Sequence, residues 1–568
     1  MKKRPSPSSD PSSKETGVIR KAWPGRIHVA LVFPQVYALA MSNLGYQTVY
    51  RQFNAFDDVL CERFCLPDPS DDRLISIESR QPLTAFDIAA FSMAFENDYP
   101  NLLRILGMAG LPLQATNRNA AHPLTVIGGI AAMLNPEPLA PFADLVLIGE
   151  AEAILPPFLD CYRSASDRGL FLARAPHQIP GAYVPSFYAT AYDARGRITS
   201  RKVTHDAPEK VERAYLADVS HMDTSSTILS PDTTFANTSL IEVSRGCPHG
   251  CRFCSAGFIY RPPRFRDADF LEARIRLAKA RTSRIGLVGA AVSDFPGLGA
   301  LCRRLENPDL RLSFSSLRAD ALTENLLQVL SANRAKTATI APEAGSQRMR
   351  DVINKGLSEE TILEATDKIV KAGIPNLRLY FLMGLPTETM EDIDAIVGLC
   401  RKIKSVFLEA SRKRRRIGTI TVHTNAFIPK PTTPFQWSAM DSVAALQSKA
   451  RTLRNGFKPL ANVRFQMENI RASYVQAFLS RGDRRIADLL TTHHRLGGNW
   501  SQTLKNSSMD TADYVTRQRD QDEILPWDFI ETGVARTYLW QEYERALAAR
   551  TSPDCRPDVC TRCGVCTG

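Results

Sequence analysis

Nowhere in this 568-residue chain do about 18 apolar residues follow one another without interruption, the length a helix needs to cross a bilayer. A membrane-spanning helix is excluded on that ground, and no membrane partner is expected. The stretch Met1 to Lys14 is rich in Ser, Pro and Lys and lacks an apolar h-region, so it reads as a disordered tail and not as a signal peptide. The cytoplasm is the expected compartment. Twelve cysteines are too few for a disulfide scaffold in a chain of this length. Seven of them fall in two tight clusters, which in a reducing compartment points to metal or iron–sulfur binding; Cys61, Cys65, Cys161, Cys302 and Cys400 read as structural. A large excess of one charge is also missing. The balance of 71 basic against 60 acidic residues, +11, attracts polyanions weakly and leaves nucleic acid an open partner without requiring it. The densest basic run, Arg412 to Arg416, reads as a solvated loop.

What is present is a globular composition, 44% hydrophobic and 23% charged, in a chain long enough for about three or four units. The apolar run Ile27 to Phe33 predicts a buried strand and Met41 to Asn54 a helix. Further strands are predicted at Ile88 to Ser92, Leu124 to Ile127 and Leu145 to Ile148, with helices at Tyr99 to Ala109 and after Glu150. This alternation predicts an α/β fold with a doubly wound parallel sheet. Residues 166–235 lose the period and carry a hairpin signal at Asp193 to Arg197, so they read as a small β-rich connector. Six strand-and-helix alternations follow, with strands at Leu240 to Val243, Ile285 to Val288, Leu312 to Ser315, Thr337 to Ile340, Leu377 to Met383 and Thr419 to Thr424. Beyond Ser438 the pattern is largely helical, as at Val443 to Phe457 and Thr537 to Ala548.

Right after the first of those six strands, Cys247, Cys251 and Cys254 are spaced C-x3-C-x2-C. Iron–sulfur cubanes are normally held by four thiolates, so a three-thiolate loop leaves one iron open to bind something else. His249 offers an alternative, a zinc site of three cysteines and one histidine, although structural zinc motifs usually split their ligands into two separated pairs. At the other end, Cys555, Cys560, Cys563 and Cys566 make C-x4-C-x2-C-x2-C. These four thiolates suit a second [4Fe–4S] cluster or zinc, closed in either case, for electron relay or for clamping the tail.

The segment Glu242-Val243-Ser244-Arg245-Gly246-Cys247-Pro248-His249-Gly250-Cys251-Arg252-Phe253-Cys254 resembles the radical SAM superfamily. The resemblance implies a partial (β/α)6 barrel with its chemistry at the carboxyl ends of the strands. It also implies a [4Fe–4S] cluster on Cys247, Cys251 and Cys254 that binds S-adenosylmethionine (SAM), an external one-electron reductant such as flavodoxin or ferredoxin, and reductive cleavage of SAM to a 5′-deoxyadenosyl radical. By the same resemblance Phe253, Gly289, Ser316, Arg318, Glu343, Ser346, Met383 and Gly384 are the residues expected around SAM. Arg318 is expected to pair with the SAM carboxylate, with a salt bridge to Asp320 as the alternative, and Ser346 has the alternative of a helix N-cap. Where many relatives carry Gly-Gly-Glu this chain has Val288-Gly289-Ala290-Ala291, so backbone carbonyls near Gly289 are expected to serve the SAM amino group. The segment Phe427 to Trp437 is expected to line the substrate side or close the barrel.

Ahead of the barrel, Val126-Ile127-Gly128-Gly129, Asn135-Pro136-Glu137, Asp144 and Gly149-Glu150-Ala151-Glu152 resemble a cobalamin-binding-type domain. The usual Asp-x-His-x-x-Gly is absent, and neither His28 nor His122 has its context, so cobalamin stays an open cofactor. The chain is thus read as a tail (1–24), a cobalamin-binding-like α/β domain (25–165), a connector (166–235), a radical SAM barrel (236–437), a helical region (438–550) and a four-cysteine tail (551–568). The expected function is radical modification of an unknown substrate, methylation included. Methylthio transfer is disfavoured because Cys61, Cys65 and Cys161 lack the pattern for an amino-terminal cluster. The alternatives are a non-catalytic iron–sulfur electron carrier and an RNA-binding protein with structural metals.

Overall fold

The first apolar run folds as β1 (Ile27–Val36), whose inner residues are buried on both faces, as expected for a central parallel strand covered by helices. It pairs in parallel with β2 (Val59–Leu66) and β3 (Ile88–Ser92); β4 (Leu124–Gly128) and β5 (Leu145–Leu147) continue the parallel order, and β6 (Ala182–Tyr183) closes it antiparallel. The spatial order 2-1-3-4-5-6 reverses between β1 and β3, the switch point at which doubly wound sheets open a crevice at their carboxyl ends. The computed structural model describes residues 11–68, 73–305, 309–315, 317–413, 417–557 and 559–566.

β2 was not predicted, because Glu62 and Arg63 interrupt its apolar run. Arg63 is fully buried, held by Glu15 at 2.7 Å and by Glu78 at 2.6 Å. That pairing corrects the reading of the amino-terminal tail. Residues 13–24 are docked: Glu15 is buried against Arg63, Thr16 bridges to Leu229, and the Ile19 amide donates to the Tyr50 hydroxyl at 3.0 Å. An arginine buried without a carboxylate is strongly unfavourable, so the segment carrying Glu15 is recruited to the sheet. Residues 1–10 of the expected tail lie outside the described residues.

Residues 166–235 include a helix, Arg168–Gln178, besides the hairpin of β7 (Tyr188–Tyr192) and β8 (Ile198–Val203). In its turn the Asp193 carboxylate accepts the amides of Arg195 and Arg197 at 2.9 and 2.8 Å. β9 (Val211–Glu212) then leads into the second unit. There β10 (Thr238–Glu242) is followed by the short ladder of β11 (Ser244–Arg245) and β12 (Arg264–Phe265), and pairs in parallel with β13 (Arg284–Val288), which pairs with β14 (Arg311–Phe314). β15 (Thr337–Glu343), β16 (Asn376–Met383), β17 (Ile420–Ala426) and β18 (Val463–Met467) form a second parallel sheet. All six predicted barrel strands are present. β18 is an addition, a half-exposed edge strand of five residues whose Val-Arg-Phe-Gln-Met alternation is short and lies within the region expected to be helical. Arg412 ends the helix Met390–Lys413 just before β17, at the face away from the strand carboxyl ends; Arg414 to Arg416 lie outside the described residues.

The carboxyl-terminal part is mostly helical, with Val443–Phe457 and Arg536–Leu547 close to their predicted bounds and β19 (Ile530–Glu531) pairing back to β9. It fastens to the first sheet through the Asn-Pro-Glu segment. Asn135 donates to the Ser480 and Gly482 carbonyls at 3.0 and 2.7 Å, and the fully buried Glu137 is held by Arg484 at 3.0 Å and Arg201 at 3.3 Å.

Candidate active site at the barrel mouth

The cysteine loop leaves β10 at its carboxyl end. Gly246 has φ +83°, and a Cβ there would come within 2.7 Å of the Tyr260 carbonyl, so only glycine lets the chain turn into the loop. Cys251 is buried, Cys247 and Cys254 half-buried. Between the last two cysteines Arg252 is completely buried. It reaches Glu542 at 3.1 Å, the Asp351, Val352 and Arg550 carbonyls at 3.1, 3.0 and 2.7 Å, and the Ser552 hydroxyl at 3.2 Å. These bonds fix the loop from outside the barrel.

The donor set fits an iron–sulfur cluster. Burial raises all three thiols, Cys247 up to about 12, against the opposing pull of backbone amides at His249 for Cys247 and at Ala256 and Gly257 for Cys254. Lys355 and Arg318 lie near enough to Cys251 to favour its thiolate. Thiolates in such surroundings call for a cationic partner, and iron supplies one. As the chain stands, no three His, Cys, Asp or Glu side chains among the described residues converge on a metal-ion position. His249 is engaged otherwise than as a zinc ligand. Although burial opposes its charge, His249 is raised to about 9 by Asp294 on Nε2 at 2.8 Å and Asp554 on Nδ1 at 2.9 Å, so both ring nitrogens are occupied.

The residues expected around SAM fall into two groups. Phe253, Gly289, Arg318 and Glu343 lie on the cysteine loop or at the carboxyl ends of β13 to β15. Arg318 makes a two-pronged bond to Asp320 at 3.0 and 2.9 Å and donates to the Lys355 carbonyl at 3.2 Å, the alternative foreseen for it. Glu343 sits at φ +65°, a conformation that costs energy in a non-glycine residue, and holds Lys355 at 3.1 Å. The Gly289 carbonyl accepts the Ser315 hydroxyl at 3.1 Å. The other group is engaged elsewhere. Ser346 caps the helix Gln347–Val352 and donates to Asp392 at 2.7 Å. Met383 is fully buried. Gly384 has φ +80°, and a Cβ there would meet Leu446 at 2.8 Å, so its glycine serves packing against the helix Val443–Phe457. Ser316 lies outside the described residues.

A cavity of about 440 Å³ runs from the carboxyl ends of the first sheet to the barrel mouth, reaching Gly246 and Ala256 on either side of the cysteines. Leu44, Val49, Phe53, Leu155 and Phe158 give it apolar lining, and Gly128, Gly149 and Gly289 line it as well. Charge is concentrated at one wall. Arg245 bonds Glu150 at 3.0 Å, Glu152 at 2.8 Å and Glu242 at 2.9 Å, and Arg264 bonds Glu150 at 2.6 Å. The Gly-Glu-Ala-Glu segment is therefore a clasp between sheet and barrel. Among the described residues no histidine lines the cavity; His28 is bound to the Trp23 carbonyl and Asp87, and His122 lies in an exposed turn.

The carboxyl-terminal cysteines lie beside this loop. The Cys555 amide donates to the Pro248 carbonyl at 2.7 Å, Asp554 holds His249, and buried Arg261 links the Gly257 carbonyl at 2.6 Å with Cys563. Cys555 and Cys563 are buried, Cys560 and Cys566 half-buried; burial, with the charges of Cys563, Cys560 and Cys566 behind it, pushes the Cys555 thiol up to about 11, whereas hydrogen bonds and charge from Arg562 outweigh burial at Cys560 and hold its thiol down. The sequence singles out His249 only as a zinc ligand and does not single out Arg252, Arg261, Asp294, Lys355 and Asp554 as site residues. A basic residue set among the cysteines was the one available signal.

A family model described as "Radical SAM proteins, N-terminal" matches residues 45–185, and one described as "Radical SAM superfamily" matches residues 241–400. The chain is 30% identical to the uncharacterized protein MJ0966 of Methanocaldococcus jannaschii over 82% of its own length and 90% of the other's. It is 24% identical to the tRNA-2-methylthio-N(6)-dimethylallyladenosine synthase of Chloroherpeton thalassium over 31% of this chain and 42% of that one. Among solved structures, the cobalamin-dependent SAM radical enzyme OxsB matches with a TM-score of 0.48 at 13% identity, over 92% of this chain and 80% of that one.

Proposed function

The chain belongs to the radical SAM superfamily, and from that premise we propose that it is an enzyme holding a [4Fe–4S] cluster on Cys247, Cys251 and Cys254 and cleaving SAM reductively. The single observation that carries this reading is the three-thiol loop at the carboxyl end of β10, with Cys251 buried and Cys247 and Cys254 half-buried, and a cavity that reaches its flanking residues Gly246 and Ala256. A cluster held there would supply one electron to the sulfonium of SAM, the chemistry that would release methionine and give a 5′-deoxyadenosyl radical able to take hydrogen from a substrate C–H. The protein's share is positional. Arg252 holds the loop, Lys355 and Arg318 put positive charge beside Cys251, and Glu343 is poised for the SAM amino group or ribose hydroxyls. The apolar walls keep water from the radical.

The cavity has the size of a small organic ligand's site; its reach from sheet to mouth supports a corrinoid as its occupant only in part, the rest of so large a group lying outside these walls. Leu44, Phe53, Phe158, Gly128 and Gly149 would hold it, and its cobalt would find no imidazole in these walls. When bound, such a group supplies a methyl carrier, so the reaction would be methyl transfer. Cys555, Cys560, Cys563 and Cys566 form a second metal site in this reading, and their contacts with the cysteine loop support electron relay into it. Iron, sulfide, zinc and cobalt per chain, measured after anoxic purification, test these assignments. About eight irons and one cobalt are expected for two cubanes and a corrinoid; a full set of metals bound equally by Cys254→Ala would refute the first site.

A further inference from the structure

We infer that the carboxyl-terminal half carries a buried site for a small inorganic anion, where residues 436–438, 480–481 and 519 meet. Arg481 is fully buried and Arg519 is 3% exposed. Arg481 donates from Nε to the Tyr514 carbonyl at 2.7 Å and from Nη1 to the Ser438 and Gln436 carbonyls at 2.8 and 3.3 Å. The Arg519 amide donates to the Trp437 carbonyl at 2.9 Å, and its Nη2 to the Arg481 carbonyl at 2.8 Å. These bonds tie the three segments into one knot. They leave Arg481 Nη2, Arg519 Nε and Nη1, the Trp437 indole Nε1 and the Ser480 hydroxyl buried with no hydrogen-bond partner among the described residues, the Arg519 guanidinium lying over the Trp527 ring at 5.2 Å.

The charges are unbalanced as well. Neighbouring carboxylates bond other arginines: Glu523 and Asp513 bond Arg517 at 2.7 Å each, Asp483 bonds Arg485 at 2.7 Å, and Asp528 bonds Arg536; the charge of Glu523 favours Arg519 and Arg481, which it does not bond among the described residues, without outweighing their burial. The contrast with Arg63, which has two carboxylates, and Arg252, which has Glu542, is sharp. Burial and then the charge of Arg519 push Arg481 down, yet a guanidinium does not give up its proton in a protein. Water could accept from these donors but could not neutralise two adjacent cations. All the unpartnered nitrogens are donor-only groups, so the missing partner is an acceptor carrying negative charge. Chloride and a sulfate or phosphate oxyanion share that chemistry. Such an ion would fix the end of the Phe427 to Trp437 segment, whose Trp437 packs on Trp540 and Tyr543 of the helix that also supplies Glu542. The inference stands apart from the radical chemistry of the barrel.

The test takes the full chain into a buffer whose only anion is too bulky to enter and follows thermal unfolding as chloride, sulfate or phosphate is added. A saturable rise in midpoint at low concentration is expected in the wild type, scaling with the logarithm of ion concentration above the dissociation constant, with loss of that rise in Arg519→Met; the ion that acts at the lowest concentration identifies the occupant. A non-saturating response shared by wild type and variant is the general exclusion effect of salts and overturns the site. Wild-type crystals soaked in bromide or selenate decide the matter if the variant fails to fold. An anomalous peak within hydrogen-bond distance of Arg481 Nη2 supports the site, and water alone between the two guanidiniums refutes it.

Discussion

Arg252 and Arg318 show how differently two arginines near one site behave. Arg252 has no exposed surface and spans from the cysteine loop to the helix Arg536–Leu547, so Arg252→Met strands Glu542 without its partner. Removing one member of a buried pair costs about 3–5 kcal/mol. Chemical denaturation should show that loss, and iron retained per chain should fall with it; an unchanged midpoint would mean the loop is held by other means. Arg318, Ser346 and Gly384 were read from their neighbours in sequence. Their partners in space are Lys355, Asp392 and Leu446, 37, 46 and 62 residues away, which no local motif reveals.

At the scale of elements, the clasp between the cysteine loop and the carboxyl-terminal tail joins residues about 300 positions apart. The four-cysteine spacing was legible, but its location was not, because no periodicity in either segment encodes the other. Asp554→Asn removes one charge from the His249 bridge. Since the Asp554 side chain is half-exposed, the global cost should stay within about 1 kcal/mol, while limited proteolysis within residues 550–566 should quicken. Tail cleavage at the wild-type rate would argue against the clasp. The strand-to-helix turn after β4 is stricter. Gly129 sits at φ +103° and ψ 173° with Met93 backbone 2.5 Å from any Cβ, a region essentially closed to other residues. Gly129→Ala should lower stability by at least about 1–3 kcal/mol in urea unfolding. The strands themselves were legible wherever apolar runs were unbroken; β2 was hidden by Glu62 and Arg63, whose partners, Ser79 for Glu62 and Glu15 and Glu78 for Arg63, come from other segments.

For the whole molecule, the doubly wound sheet and the barrel are each readable from alternation, whereas the way they meet is not. Arg245 with Glu150, Glu152 and Glu242 forms that junction. Burial works to raise Glu150 and Glu242, but Arg264 and Arg245 outweigh it and hold both below the usual glutamate range. A depressed carboxylate contributes stability that is present above its unfolded pKa and lost as pH falls through the folded one. Arg245→Met should therefore lower the unfolding midpoint most at neutral pH, and the gap from wild type should close below about pH 4. A gap independent of pH would assign Arg245 a packing role alone. The same junction forms one wall of the cavity beside the cysteines, so holding the two units together and shaping the site are one task.

The central claim concerns the three-thiol loop. With full-length protein reconstituted without oxygen and supplied with SAM and dithionite, 5′-deoxyadenosine should accumulate, and Cys254→Ala should reduce it to background. Protein with a complete iron and sulfide content that forms none of this nucleoside would contradict the account.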